Sequence, residues 1–106
     1  SRAVVHGILR DKWRFNGLVV TDDLTMVASA THDGGIGASA VSALAAGVDL
    51  LLVSFDTDQI YTVIDALLRA RAAGTLNAGE LATSTQRIAQ RLQDKQPLKV
   101  DEAPLP

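Results

Sequence analysis

Apolar residues follow two alternating rhythms along the chain. In the first fourteen positions Val4, Val5, Ile8, Leu9 and Trp13 recur at spacings of three and four, with Arg2, His6, Arg10 and Lys12 largely elsewhere. That period predicts an amphipathic helix over residues 1–14. Ser1 is a candidate N-cap. Phe15, Asn16 and Gly17 are expected to end the helix, because Asn and Gly tolerate positive φ. Leu18-Val19-Val20-Thr21 then breaks the helical period as a short, continuous, β-branched run between Gly17 and Asp22-Asp23. Such a run predicts a strand covered on both faces, as in a parallel sheet.

The same succession repeats. Residues 24–37 are irregular and rich in glycine, and residues 38–46 read as an alanine-rich helix closed by Gly47. Residues 48–53 (Val48-Asp49-Leu50-Leu51-Leu52-Val53) read as a second buried strand, and 54–58 as a loop. Residues 59–73 read as a helix with Ile60, Val63, Ile64, Leu67 and Leu68 on one face, closed by Gly74. Asn77, with Glu80 three residues on, resembles a capping box for a last helix reaching about residue 93. Residues 94–106, with three prolines and alternating charges, read as a tail or linker. The order helix, strand, helix, strand, helix, helix is βα patterning with parallel strands.

Length complicates that picture. The chain has 106 residues, and two parallel strands with both faces covered do not make a sheet by themselves. A (β/α)₈ barrel takes roughly 250 residues. Strands this apolar would leave unpaired edges, so the pattern implies partners from the rest of a longer chain or from another copy. The opening Ser1-Arg2-Ala3, without Met or a signal-peptide pattern, points the same way.

Composition removes several classes of function. Hydrophobic residues are 47% and charged residues 21% of the chain, an ordinary globular balance. No apolar run approaches the roughly 18 to 20 residues of a membrane-spanning helix. Net charge is −2, so the basic field that nucleic-acid binding requires is missing. Cysteine is absent, which removes disulfides, thiolate metal sites and a cysteine nucleophile. The acids are 10 Asp against 2 Glu, a bias toward the caps, turns and strand ends that Asp favours.

Several of those aspartates could carry chemistry. Active sites of parallel α/β folds lie at the carboxyl ends of the strands, where Asp22 and Asp23 follow the first strand. By simple alternation Asp22 shares a face with Val20 and Leu18, and Asp23 with Thr21 and Val19. Spacing alone does not choose between them, and either could instead cap the following turn. Asp49, inside an apolar run, must be paired or hydrogen-bonded; at the start of its strand it reads as a structural anchor. His6 reads as a helix-surface histidine. His32 beside Asp33 could form a proton-shuttling pair. Gly34-Gly35-Ile36-Gly37 ahead of a helix could cradle a phosphate, though it lacks a P-loop lysine and does not match GxGxxG. No metal-ligand spacing is present, and no cofactor is expected.

The stretch from Gly7 through Arg10, Asn16-Gly17 and Val20-Thr21-Asp22-Asp23-Leu24 to Met26 resembles the nucleophile region of family 3 glycoside hydrolases. The likeness is to their β-N-acetylglucosaminidase branch, with its "LLR…GF-G" helix end, a strand, and "(S/T)DDL-M". The β-glucosidase branch typically carries an aromatic shortly after "SD", where this chain has Asp23-Leu24. Downstream, Ala43 to Leu52 resembles the family's "A--AG-D-LL" strand, and Ser84-Thr85-Gln86-Arg87-Ile88 its closing "S--RI" helix.

The resemblance covers about residues 1–93. It implies an α/β fold that is the C-terminal portion of a (β/α)₈ TIM barrel, with about two parallel strands and four helices, incomplete as an isolated chain. The strands would be the seventh and eighth, and residues 94–106 a flexible tail. It further implies Asp22 as the catalytic nucleophile, Asp23 turned away to brace the loop, and Met26 lining the sugar pocket. The substrate would be a terminal β-linked N-acetylglucosaminide, such as a peptidoglycan fragment. Hydrolysis would retain configuration through a glycosyl-enzyme intermediate. Asp22 must stay ionised to attack and so calls for hydrogen-bond donors. The branch's acid/base, a His paired with an Asp, lies on a loop upstream of the nucleophile; His32-Asp33 lies downstream and does not take that role. Isolated, the segment would be inactive. The rival expectation is a non-enzymatic, truncated barrel that acts by self-association or binding. A phosphate-binding domain rests on the glycine loop alone. No nucleic-acid or membrane partner is expected, and the compartment stays open between cytoplasm and export.

Overall fold

A computed structural model describes residues 1–26, 35–54 and 57–94. Six elements follow in order: α1 (Ala3–Lys12), β1 (Val20–Asp23), α2 (Gly35–Ala46), β2 (Leu50–Leu52), α3 (Thr57–Ala72) and α4 (Ala78–Asp94). β1 and β2 pair in parallel with α2 as the crossover, as the patterning predicts. β2 is shorter than expected, and β1, at the expected length, is displaced toward the aspartates, so that Asp22 and Asp23 belong to it. The glycine loop at 27–34, with His32, Asp33 and Gly34, lies outside the described residues, as does the tail at 95–106.

α1 departs most from its expected form. It is wound more widely than an α-helix, with the Trp13 amide bonding the Ile8 carbonyl five residues back at 2.8 Å. Five-residue spacing is that of a π-helix, and residues four apart then lie nearly in line. His6 and Arg10 turn inward together with buried Val5, whereas Arg2 stays exposed and pairs with Glu80 at the surface. Val4, Ile8 and Trp13, the expected core face, are exposed. Ser1 is not a side-chain cap; Arg2 occupies the N-cap position with no capping side-chain bond. The reversal after α1 also uses a different residue. Arg14, not Asn16 or Gly17, takes positive φ at 56°. Arg10 stabilises this turn by donating to the carbonyls of Phe15 (2.9 Å) and Gly17 (2.6 Å), with its guanidinium over the Phe15 ring.

The core lies between one side of the sheet and α2 and α3. Leu24, Ile36, Ala40 and Val63 form it, with Leu51, Val53 and Leu67 packed against them. α2 begins earlier than predicted, at Gly35, whose φ of +71° suits only a glycine without strain. Gly37 serves packing: a Cβ there would lie 2.9 Å from the Ala66 Cβ, so α2 and α3 meet at van der Waals distance through it. Gly37 is therefore a helix-contact residue. Gly74, φ +78°, closes α3 as expected. Ile60, Ile64 and Leu68 remain exposed beside buried Val63, so the α3 stripe is wider than the core it meets here.

Asn77 caps α4, its Oδ1 accepting from the Glu80 amide at 3.0 Å. The reciprocal half of the box does not form, because the Glu80 carboxylate is held by Arg2. α4 has no fully buried residue; hydrogen bonds from its inner face hold it to the rest. Among the described residues the other side of the sheet carries exposed apolar side chains. Val20 pairs with Leu50, and both are exposed, as is Leu52. The expected cover on both faces is thus present on one.

Candidate active site

Three aspartates on or beside the two strands have three different environments. Asp49 lies just before β2 and its carboxylate is fully buried. Arg10 bonds it at 2.7 Å, Arg87 at 3.0 Å, the Ser84 hydroxyl at 2.6 Å and the Val19 amide at 3.0 Å. Burial works against its ionisation, but bonds from Ser84, the Val19 amide and Arg87 outweigh burial and hold its pKa below the usual carboxylate range. Asp49 is an anchor joining α1, the entry to β1, β2 and α4, at the strand end opposite Asp22 and Asp23. Ser84 and Arg87 are three apart on α4 and so share a face. The residues around Asp49 do not name its partners by local pattern; the Ser84–Arg87 spacing and the position of Arg10 one residue after Leu9 are the available signals.

His6 is not a free surface histidine. It packs against Gly47 and stands 4.0 Å from Glu80. The fit at Gly47 is close, since a Cβ there would lie 2.5 Å from the His6 Nε2.

At the carboxyl end of β1 the register slips. Val20 pairs with Leu50 and Asp23 with Leu52, three positions on one strand against two on the other. The alternation of exposure nevertheless runs through to the aspartates: Val20 and Asp22 are exposed, and Thr21 and Asp23 are partly buried. Register slips of this kind are frequent beside active sites, where they re-aim a side chain. The Thr21 hydroxyl fills the gap, accepting from the Leu52 amide at 3.0 Å.

Asp23 is fully engaged. Its Oδ1 accepts from the Thr25 amide at 3.0 Å and the Thr25 hydroxyl at 2.6 Å, and its Oδ2 accepts from the Ser54 hydroxyl. These donors, Ser54 first and then Thr25, hold its pKa down to about 2. Asp22 is exposed, and among the described residues its carboxylate accepts no hydrogen bond and forms no ion pair. The donors expected around an ionised nucleophile are thus absent from the described residues. Met26 lies three residues past the strand end at 71% exposure, on the same side in sequence as the turn that Thr25 organises. Among the described residues no cluster of three or more His, Asp or Glu is placed to hold a metal ion. No helix there is long and apolar enough to cross a membrane.

Residues 1–91 match the family described as the glycosyl hydrolase family 3 N terminal domain. The chain belongs to glycosyl hydrolase family 3. A beta-hexosaminidase of Tolumonas auensis is 36% identical over 94 residues, which are 82% of this chain and 28% of that protein. The family 3 chain thus spans a little over a quarter of the length of this relative. Its fold is similar to a fungal multi-domain family 3 beta-N-acetylglucosaminidase, with a TM-score of 0.80 and 29% identity over 88% of this chain and 11% of the other. The beta-N-acetylglucosaminidase of Thermotoga maritima shares the fold, with a TM-score of 0.78 at 22% identity over 91% of this chain and 21% of its own. The family named from residues 7–26, 43–52 and 84–88 is therefore the right one.

Proposed function

We propose that this chain is the part of a family 3 β-N-acetylhexosaminidase that carries the catalytic nucleophile, and that Asp22 is that nucleophile. The observation that carries the reading is the contrast between two adjacent carboxylates at one strand end. Both oxygens of Asp23 are occupied by Thr25 and Ser54. Asp22 is exposed, its oxygens unclaimed among the described residues. A nucleophile needs a lone pair free to reach carbon; a brace needs its lone pairs filled.

In this reading the strands are the seventh and eighth of a (β/α)₈ barrel. Residues from elsewhere in the barrel cover Val20, Leu50 and Leu52. An Asp22 oxygen attacks the anomeric carbon of a terminal β-linked N-acetylglucosamine. As the C–O bond forms, the bond to the leaving oxygen breaks, and an acid outside this segment protonates that oxygen. Water then cleaves the glycosyl ester with the same group acting as base, so configuration is retained. Met26, just beyond the nucleophile, lines the sugar pocket. Cell-wall peptidoglycan fragments are a natural source of such termini.

The test is covalent trapping. A fluorinated N-acetylglucosaminide incubated with the full-length enzyme carrying this segment is expected to label Asp22, located by peptide mass mapping. Asp22→Asn is expected to abolish the label and to lower turnover at least about 1000-fold, as loss of a covalent nucleophile does. Label on Asp23 would overturn the assignment. The isolated 106 residues, without the acid, are expected not to hydrolyse an aryl N-acetylglucosaminide measurably.

A further inference from the structure

Ser54 takes no direct part in the attack proposed for Asp22. It fills one oxygen of Asp23, yet its position is unusual. It stands two residues past the end of β2, and its hydroxyl reaches across to the last residue of β1. Thr25 meets the same carboxylate from the turn after β1 with both its amide and its hydroxyl. The two hydroxyls lie 3.5 Å apart. One carboxylate thus ties together the turn after β1 and the segment after β2, at the end of the sheet where the backbone register has slipped.

We infer that the Ser54–Asp23–Thr25 latch is a positioning device for Asp22, and that Ser54 is its determining residue. This deepens the proposal for Asp22 and rests on it. Asp22 and Asp23 are adjacent, so fixing the Asp23 side chain on both oxygens fixes the intervening peptide and the Cα–Cβ direction of Asp22. Among the described residues the Asp22 carboxylate has no partner of its own to orient it, and the regular ladder that would do so is interrupted. The latch also occupies both oxygens of the neighbouring carboxylate.

Thr25 alone cannot do this, since it lies two residues from Asp23 and moves with the same turn. Ser54 brings the other strand, and so supplies the fixed reference. The hydroxyl is the necessary group, and serine and threonine are therefore interchangeable in kind, whereas alanine is not.

The experiment compares Ser54→Ala and Ser54→Thr in the full-length enzyme that carries this segment, with circular dichroism to give the folded fraction. Ser54→Ala is expected to lower kcat about 10-fold with KM within about twofold, because a reacting group misplaced by about 1 Å costs up to about 100-fold in rate. Ser54→Thr is expected to restore most of the loss. In the trapping reaction Ser54→Ala should slow labelling of Asp22 in the same ratio as kcat. An unchanged kcat, an equal loss in both variants, or a loss that only follows the folded fraction would each overturn the latch. Failure of the two proposals is distinguishable. If Asp22→Asn abolishes labelling while Ser54→Ala behaves as wild type, the latch alone is wrong. If Asp22→Asn still turns over and labels, the nucleophile is wrong and the latch falls with it.

Discussion

Asp49→Ala is expected to cost the chain more than any other single substitution of a polar side chain. The wild-type carboxylate is fully buried and accepts from Arg10, Arg87, Ser84 and the Val19 amide. Its removal strands Arg10, whose side chain is only 8% exposed. Deleting one partner of a buried ion pair costs about 3–5 kcal/mol, because the remaining charge stays buried and unpaired. Two features place this case at the low end, about 3 kcal/mol. Arg10 keeps its bonds to the Phe15 and Gly17 carbonyls, and Arg87 is 24% exposed and can turn toward water. For a domain of about 100 residues each kcal/mol shifts the melting midpoint by about 4–8 °C, so the expected fall is about 12–24 °C. Asp49→Asn should cost nearly as much, since its amide nitrogen would face a guanidinium. Thermal and urea unfolding followed by circular dichroism measure both variants. The pH dependence supplies a second check. The Asp49 pKa is lowered on folding, so its contribution is complete above the unfolded value of about 4 and is lost as pH falls through the folded value. The gap between wild type and Asp49→Ala should therefore be constant above about pH 4 and close on acidification. A loss under about 1 kcal/mol, the range of an exposed pair, would refute the account of Asp49 as a buried anchor.

Gly37→Ala is expected to destabilise by about 1–2 kcal/mol in urea: overpacking against Ala66 costs about 1–3 kcal/mol, and the better helix propensity of alanine returns up to about 1 kcal/mol. A rise in the urea midpoint would show that α2 and α3 can move apart freely. Asp23 is expected to titrate near its value of about 2 when followed by carboxyl NMR, so that its bonds to Ser54 and Thr25 persist on acidification after ordinary aspartates have been protonated. A midpoint near 4, the ordinary value, would mean that those bonds do not form.

Element order is readable from the period of the apolar residues because each strand is a short continuous run between turn residues. Faces are not. A 3.6-residue period puts Val4, Ile8 and Trp13 on the core side of α1, whereas the helix is wound on wider turns and His6 and Arg10 face inward in their place. Their partners are long-range: Glu80 beside His6 and Asp49 on Arg10 come from far along the chain, and no local pattern reports such partners. Alternation separates Asp22 from Asp23, since Asp22 shares the exposed side of Val20 and Asp23 the partly buried side of Thr21. Which side is covered is set by α2 and α3, far along the chain. Asp49 is legible as an anchor because a carboxylate inside an apolar run is tolerated only when it is paired or hydrogen-bonded.

The two ends of this sheet follow different rules, and the difference explains how one strand can hold both a fixed and an unengaged carboxylate. At the amino end, Asp49 draws its donors from α1, α4 and the start of β1, so the charge is compensated entirely by this chain. At the carboxyl end, Asp23 is compensated by hydroxyls and an amide, with no cation beside it among the described residues. Neutral donors can hold a carboxylate in place without placing a positive charge beside its neighbour. Serine and threonine bonds are directional and short in reach, so they select one carboxylate and leave the other. The same aspartate-rich composition therefore supplies a buried anchor where arginines meet it and a braced turn where hydroxyls do.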